Sequence, residues 1–403
     1  MNNQQTVPLS NLISAIFLIA GACVGGGMLA LPVEMGVSGL FPSLAVMAVA
    51  WAFMTLTGLL LVEANLWMEE GAHMMTMASR LLGFPGRVIS VVLFLFMGYG
   101  SLVAYNAAGT DFIIQTVHLI SGLTITYWQA AVLFAVIFGL LLFTGTHFLG
   151  RINSILVIGM VITYLFMVFS GIPEVRTDYY EHAAWAKSLY GFPLVLATFS
   201  YQMVIPSLTP YLKRNPVAMN RTVLWGTTIP FVVYAIWQVI VLGIVPLYGD
   251  YGLELAFIKG KAATWSLRHF VDSPFLAVSA DSFAFFALVT SYLAIALGTF
   301  DFVADSLRIP KKGLGKISVG ALVVIPTLVF AIKYSNAFIT ALGITGGFGD
   351  SILNGLIPIA MVYVGRYRRR IQGPFKVFGG KPLLATLAAF ALFVIYMQIV
   401  DLF

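Results

Sequence analysis

Between Gly21 and Pro32 the chain reads Gly-Ala-Cys-Val-Gly-Gly-Gly-Met-Leu-Ala-Leu-Pro, small residues set inside an apolar, uncharged stretch. Gly25, Gly26 and Gly27 weaken a helix and place no side chain between the backbone and a visitor. A helix resuming at Met28 presents free amides and the positive end of its dipole, which suit a carboxylate. Carbonyls freed upstream, over Gly21, Ala22, Cys23 and Val24, suit an ammonium group or a small cation. A zwitterion of amino acid size satisfies both ends of one break. A small-residue patch for close helix contact is the competing reading of the same residues.

A second interruption favours the ligand. Thr198-Phe199-Ser200-Tyr201-Gln202 runs on to Pro206 and Pro210 inside another apolar stretch. Rings beside an opened backbone can line a pocket for a flat side chain, with Ser200, Tyr201 and Gln202 bonding a phenol or an indole N–H. Packing or lipid-facing aromatics are the alternative. Tyr99 and Tyr105 do not share a helix face cleanly, so one of them reaches the site, and Tyr105, followed by the polar Asn106, is the better placed. In a third apolar stretch Ala287, Thr290 and Ser291 complete an oxygen cage for a small cation opposite Gly21 and Val24, unless each hydroxyl bonds back to its own helix. Asp301 and Asp305, four apart near the inner end of that stretch, read as rim groups that neutralise nearby arginines. Acids within apolar runs are functional candidates by default. Asp350, in Gly346-Gly347-Phe348-Gly349-Asp350, is the deepest, and Glu34, just beyond Pro32, lies toward the outer side. Both are candidates for proton coupling or gating.

The elements that position these groups are membrane helices. The chain has 403 residues, 60% hydrophobic and 9% charged, with a mean hydropathy of +0.95. A soluble domain carries about a quarter charged residues. Apolar runs long enough to cross a ~30 Å hydrocarbon layer recur along the whole chain. Eleven spans are expected, near 11–33, 39–67, 86–117, 128–147, 152–172, 189–212, 222–247, 276–306, 316–333, 338–364 and 383–402. The first reads as a retained span, not a cleaved leader. Leu247 to Ser273 reads as a folded outer loop with a short helix on the membrane surface. With the N-terminus inside, sixteen of the 22 lysines and arginines fall in same-side loops and six in the others. That bias sets an inside N-terminus and an outside C-terminus. The breaks fall in spans 1 and 6, an odd offset, so the two units cross the membrane in opposite directions. This is the inverted repeat of a secondary transporter: repeat one over 11–172, repeat two over 189–364, and an added helix over 383–402.

Other classes fit poorly. One cysteine, Cys23, excludes an intrachain disulfide and a Cys-based metal site. No metal-ligand spacing beyond a possible Na⁺ cage, no nucleophile constellation and no phosphate-binding GxxxxGK[ST] loop is present, which argues against a cofactor, a membrane enzyme and an ATP-driven pump. A channel needs a continuous polar pore, whereas the polar residues gather at two breaks. The formal charge of +6 lies in loops between spans and reports orientation, not nucleic-acid binding.

The motif Gly21-Ala-Cys-Val-Gly-Gly-Gly-Met-Leu-Ala-Leu-Pro32 resembles the first-span signature of the hydroxy/aromatic amino acid permeases, the group of the bacterial tyrosine and tryptophan permeases. Ile205-Pro-Ser-Leu-Thr-Pro-Tyr-Leu212, Leu297-Gly-Thr-Phe-Asp-Phe-Val-Ala-Asp305 and Phe375-Lys-Val-Phe-Gly-Gly-Lys-Pro382 match as well, in order and spacing over essentially the whole chain. The resemblance implies an all-α integral membrane protein of the amino acid–polyamine–cation superfamily, with the leucine-transporter-like 5+5 repeat. It implies symport of an aromatic L-amino acid across a bacterial inner membrane, tyrosine first, then tryptophan or phenylalanine, with H⁺ as the usual coupling ion. The substrate carboxylate would meet Gly25 to Gly27, and its amino group the carbonyls near Cys23 and Phe199. Two departures stand out. Phe199-Ser-Tyr-Gln202 occupies the place of a Phe-Gly-Phe-His sequence, and Met160 stands where several relatives carry a lysine in span 5. Without that ammonium, the slot at Thr290 and Ser291 is open to Na⁺.

Overall fold

The computed structural model describes residues 7–143, 146–271 and 273–403. Among these the backbone is 82% helical and contains no strand. A segment that satisfies every backbone group internally is what an apolar environment demands.

The helices in chain order begin with α1 Leu9–Cys23, α2 Leu31–Gly36, α3 Leu40–Leu66, α4 Met74–Ser121, α5 Tyr127–Leu141 and α6 Thr146–Gly171. They continue with α7 Trp185–Ser188, α8 Phe192–Thr198, α9 Ile205–Tyr211, α10 Pro216–Ile244, α11 Leu253–Ile258 and α12 Ala263–Leu267. The last are α13 Pro274–Leu307, α14 Gly313–Lys333, α15 Ala337–Ile344, α16 Ile357–Tyr363 and α17 Gly380–Leu402. Between α15 and α16 the chain winds in π-helical geometry over Thr345–Leu356.

Nine helical stretches among the described residues are long and apolar enough to cross a membrane, and the bent pair α1–α2 makes ten. The expected eleventh is the fourth in sequence. Its helix α5 has only 15 residues, and part of the expected 128–147 span, residues 144–145, lies outside the described residues. Within α4 the backbone leaves helical geometry at Gly83 (φ +77°), so Met74–Ser121 is two helices end to end, and the expected third span from residue 86 starts just past that break. Both expected breaks are present. The axis turns by 47° between α1 and the Gly26–Gly36 segment, and three residues without α-helical bonding separate α8 from the turn that leads into α9.

The outer-loop expectation needs correction. Residues 247–273 carry two short helices, α11 packed on α2 and α12 on α13, with Leu253, Ala256, Ala263 and Leu267 buried. Their apolar faces find protein partners, so the segment is folded onto the bundle through two short helices where one was expected. A second correction concerns Asp301 and Asp305. They neutralise a lysine, with Lys311 Nζ at 2.7 and 3.0 Å, and not the arginines.

Basic residues from loops close one end of the bundle. Arg214 donates to the carbonyls of Leu66 and Met68 at 2.9 and 2.8 Å, capping the C-terminus of α3 where unpaired carbonyls gather. Arg366 grips Glu63 of α3 with two hydrogen bonds of 2.6 and 2.5 Å, and both side chains are buried. Large apolar side chains such as Phe17, Phe169 and Val278 face outward, the surface expected of a chain solvated by lipid.

Candidate functional site

At the end of α1 the Val24 amide still bonds to the Ala20 carbonyl, and Gly25 then takes an extended backbone. A single 3₁₀ turn, Gly26–Leu29, follows before α2 begins at Leu31. The helix therefore restarts through a tight turn at Gly26, upstream of the expected Met28. The Gly26 amide donates to Ser291 Oγ of α13 at 2.8 Å. A Cβ on Gly26 would lie 2.8 Å from Tyr105 Cε1 and 3.2 Å from Leu288, so the tyrosine ring covers this glycine directly. Tyr99, by contrast, turns away and donates its hydroxyl to the Leu322 carbonyl of α14 at 2.9 Å. Of the two tyrosines weighed from the sequence, Tyr105 is the one at the break.

The carbonyl side of the break is held by α10, which the sequence reading did not single out. Tyr234 Oη lies 2.7 Å from the Cys23 carbonyl and 2.8 Å from the Thr198 carbonyl, so one buried hydroxyl bridges the freed ends of both broken helices. One hydroxyl proton serves two acceptors, leaving one carbonyl free at any moment. Trp237, three residues on and on the same face, donates its indole N–H to the Met28 carbonyl at 2.9 Å. The legible signal was a Tyr-x-x-Trp pair inside an apolar helix, two polar handles one turn apart. Phe199 is fully buried and meets the Tyr234 ring edge-on, with centroids 5.1 Å apart.

The other residues of the second break divide into two directions. Ser200 is half-buried, and its Oγ accepts from Asn354 Nδ2 at 3.1 Å. Tyr201 and Gln202 point instead into α3. Tyr201 Oη donates to the Met54 carbonyl at 3.1 Å, and Gln202 Nε2 contacts the same carbonyl at 3.3 Å and Thr57 Oγ1 at 3.4 Å. Their polar groups tie the break to α3, whereas Thr198 stands against the first break, its Cγ2 3.4 Å from a Cβ built on Gly27, Phe199 packs on Tyr234, and Ser200 faces the π-helical segment.

The cation-cage residues are only partly assembled. A Cβ on Gly25 would collide with Ser291 Oγ and lie 3.9 Å from the Ala287 carbonyl, which puts both residues against the first break. Thr290 Oγ1 donates to the Phe286 carbonyl of its own helix at 2.8 Å. Ala22 and Gly21 are exposed, and Val24 is half-buried. Among the described residues no cluster of His, Cys, Asp and Glu could hold a metal ion. The two acids also separate. Glu34 is half-buried on α2, with Asp401 as its charged neighbour, whereas Asp350 is buried in the π-helical segment.

Above the break lies a cavity of about 420 Å³, lined by Asp111, Phe112, Lys261, Trp265, Asp281 and Leu288, among others. Leu288 lines this cavity and also lies against Gly26, so its side chain stands between the cavity and the opened backbone. Lys261 of the loop pairs with Asp111 of α4 at 2.5 Å across its wall.

A sequence model of the tryptophan/tyrosine permease family matches residues 9–398. The chain belongs to that family. Its relatives include the tyrosine-specific transport system 1 of Haemophilus influenzae, 29% identical over 378 residues and 92% of each chain. The tryptophan-specific transport protein of Pseudomonas aeruginosa is 28% identical over 388 residues, covering 94% of this chain and 92% of the relative. The low affinity tryptophan permease of Escherichia coli strain K12 is 26% identical over 394 residues, covering 94% and 93%. As a member of this permease family, the chain is a multi-pass transporter and not an enzyme. Of the motifs that carry the resemblance in the sequence, Gly21–Pro32 forms the first break and Ile205–Leu212 follows the second, while Leu297–Asp305 ends α13 and Phe375–Pro382 leads into α17.

Proposed function

We propose that this permease imports an aromatic L-amino acid, tyrosine by preference, by cation-coupled symport across a bacterial inner membrane. The observation that carries the reading is the Tyr234 hydroxyl between the Cys23 and Thr198 carbonyls, which holds two opened backbones side by side deep in the bundle. Substrate carboxylate approaches the Gly25 to Gly27 turn under Tyr105, and its ammonium competes with the Tyr234 hydroxyl for the two carbonyls. Phe199, already edge-on to Tyr234, offers a ring face or edge to the substrate side chain. Relatives named for tyrosine and for tryptophan support the aromatic class.

The chain works as a 5+5 inverted repeat with its N-terminus in the cytoplasm and its C-terminus in the periplasm, supported by the five-span offset of the two breaks and the bias of basic loops. Alternating access rocks the broken spans against α4 and α13 around the site. H⁺ drives uptake, as the family resemblance implies. Uptake of labelled tyrosine, tryptophan and phenylalanine into proteoliposomes tests this reading under an inward H⁺ gradient, with Na⁺ present or replaced by choline. Saturable accumulation that survives choline is the expected result. No accumulation of any of the three under either gradient overturns the function, and dependence on Na⁺ overturns the choice of ion.

A further inference from the structure

The π-helical segment Thr345–Leu356 holds a cluster that nothing in the two breaks explains. Asp350 and Asn354 are both buried there, and the segment packs on α8, α17, α4, α15, α16 and α3. Asn354 Nδ2 donates to Asp350 Oδ1 at 2.6 Å and also reaches Ser200 Oγ, in the second break, at 3.1 Å. The remaining oxygens, Asp350 Oδ2 and Asn354 Oδ1, are buried without a hydrogen-bond partner among the described residues. Both are acceptors, and the single Ser200 hydroxyl hydrogen, which faces the Asp350 carboxyl, cannot serve both at once, so one of them lacks a donor.

Among the described residues no positive charge is paired with the carboxyl. On α3 the charged residue is Glu63, held by Arg366, and on α4 Asp111 is held by Lys261 and Arg80 by Glu69. Arg87 and His118 of α4 and Lys381 and Asp401 of α17 lie toward helix ends, and α8 and α15 carry no titratable side chain. Tyr363 of α16 and Tyr396 of α17 are exposed, and Tyr99 bonds to α14. The side chains that meet Asp350 are Asn354, at 2.6 Å, and Ser200 of the second break, which Asn354 also holds. A lone carboxylate in such surroundings is costly, and binding one proton removes that cost. Segments of π-helix recur at functional positions because their looser ladder frees backbone and side chains to rearrange.

We propose that Asp350 is the carrier of the coupling proton, and that the Asn354 amide and Ser200 hydroxyl pass its protonation state to the break between α8 and α9. The inference rests on the proton-coupled reading above. A proton taken from the outer side bonds to Asp350 Oδ2, turning an orphan acceptor into a donor, and leaves to the inner side as the free carboxylate reforms. Protonation withdraws negative charge from beside Ser200 and the second break. It also lets the Asn354 amide redistribute its hydrogen bonds between the carboxyl and Ser200. Substrate binding and proton binding are thereby linked through one amide side chain. Glu34 does not share this geometry: it lies half-buried on α2, outside the Asp350–Asn354–Ser200 cluster.

Proteoliposomes containing wild-type protein, Asp350→Asn and Asp350→Glu test the proposal with labelled tyrosine or tryptophan, whichever the wild type accumulates. Asp350→Asn is expected to lose gradient-driven accumulation at least tenfold, yet to keep substrate binding and exchange counterflow that no longer varies with pH. Asp350→Glu is expected to keep proton-driven accumulation with a displaced pH profile, which answers the case in which the asparagine variant does not fold. Substrate-induced proton uptake, read with a pH dye in the purified protein, should be present in wild type and in Asp350→Glu and absent in Asp350→Asn. Wild-type accumulation by Asp350→Asn overturns the proposal. So does loss of substrate binding by folded Asp350→Asn, which makes the carboxylate a substrate ligand, or Na⁺-driven uptake whose Na⁺ binding disappears in that variant. A wild type that accumulates no aromatic amino acid brings down the function first, and that result is distinguishable from any of these.

Discussion

Gly26→Ala is the smallest perturbation that addresses the substrate break. The added methyl carbon would lie 2.8 and 3.1 Å from Tyr105 Cε1 and Cδ1 and 3.2 Å from Leu288 Cδ2. Carbon atoms in good contact stand about 3.5–4.0 Å apart, so the ring must retreat by roughly 0.7 Å or more. The Gly26 amide bond to Ser291 Oγ does not involve the new atom and can persist. Overpacking of this kind costs about 1–3 kcal/mol. If Tyr105 forms the lid over the carboxylate site, the cost falls on the bound state, a loss of about 5- to 150-fold in Kd. Equilibrium binding of labelled tyrosine to purified protein reads that loss, and thermal unfolding checks that the fold is intact. A cycle with Tyr105→Ala isolates the cause, because removing the ring should make Gly26→Ala nearly neutral. Unchanged affinity in the single variant, or the same loss with and without the ring, refutes the assignment of Tyr105 and Gly26 to one contact.

Three further outcomes follow from the geometry. Tyr234→Phe leaves the Cys23 and Thr198 carbonyls without their shared donor, so stability should fall by about 1–3 kcal/mol, and an unaltered unfolding temperature would show that the bridge is not formed. Glu63→Ala strands Arg366 in a buried position and should cost about 3–5 kcal/mol; pairing it with Arg366→Met should recover much of the loss, and simple additivity of the two variants counts against a coupled pair. Phe199→Ala should weaken tryptophan and tyrosine by about 0.5–1.5 kcal/mol more than a small neutral amino acid, measured by competition binding, and equal losses for both classes move Phe199 to a packing role.

Much of the architecture was legible because lipid leaves a chain few options. Long uncharged runs must be helices, so span positions followed from hydropathy, and Gly25 to Gly27 and Phe199 to Pro206 announced interruptions that no buried helix tolerates without partners. Tyr105 could be preferred over Tyr99 from its polar neighbour, and the family followed from the first-break motif together with motifs spread along the chain as far as Pro382. The length of α5 was less legible, since the point where a helix ends depends on local packing that hydropathy does not report.

The direction in which each side chain of a break points was decided by the tertiary structure alone. Phe199, Ser200, Tyr201 and Gln202 are consecutive, yet Tyr201 and Gln202 bond to Met54 of α3 while Ser200 meets Asn354 across the bundle. Tyr234 and Trp237 became visible as partners of opened backbone only when α10 was packed against it. Glu34 and Asp350 look alike as acids in apolar runs, and only packing puts one beside Asp401 and the other beside the break. Sequence determines where backbone groups must go unpaired, because glycine and proline act locally on the helix. Which atoms answer them depends on distances between segments hundreds of residues apart, and only the assembled bundle sets those distances.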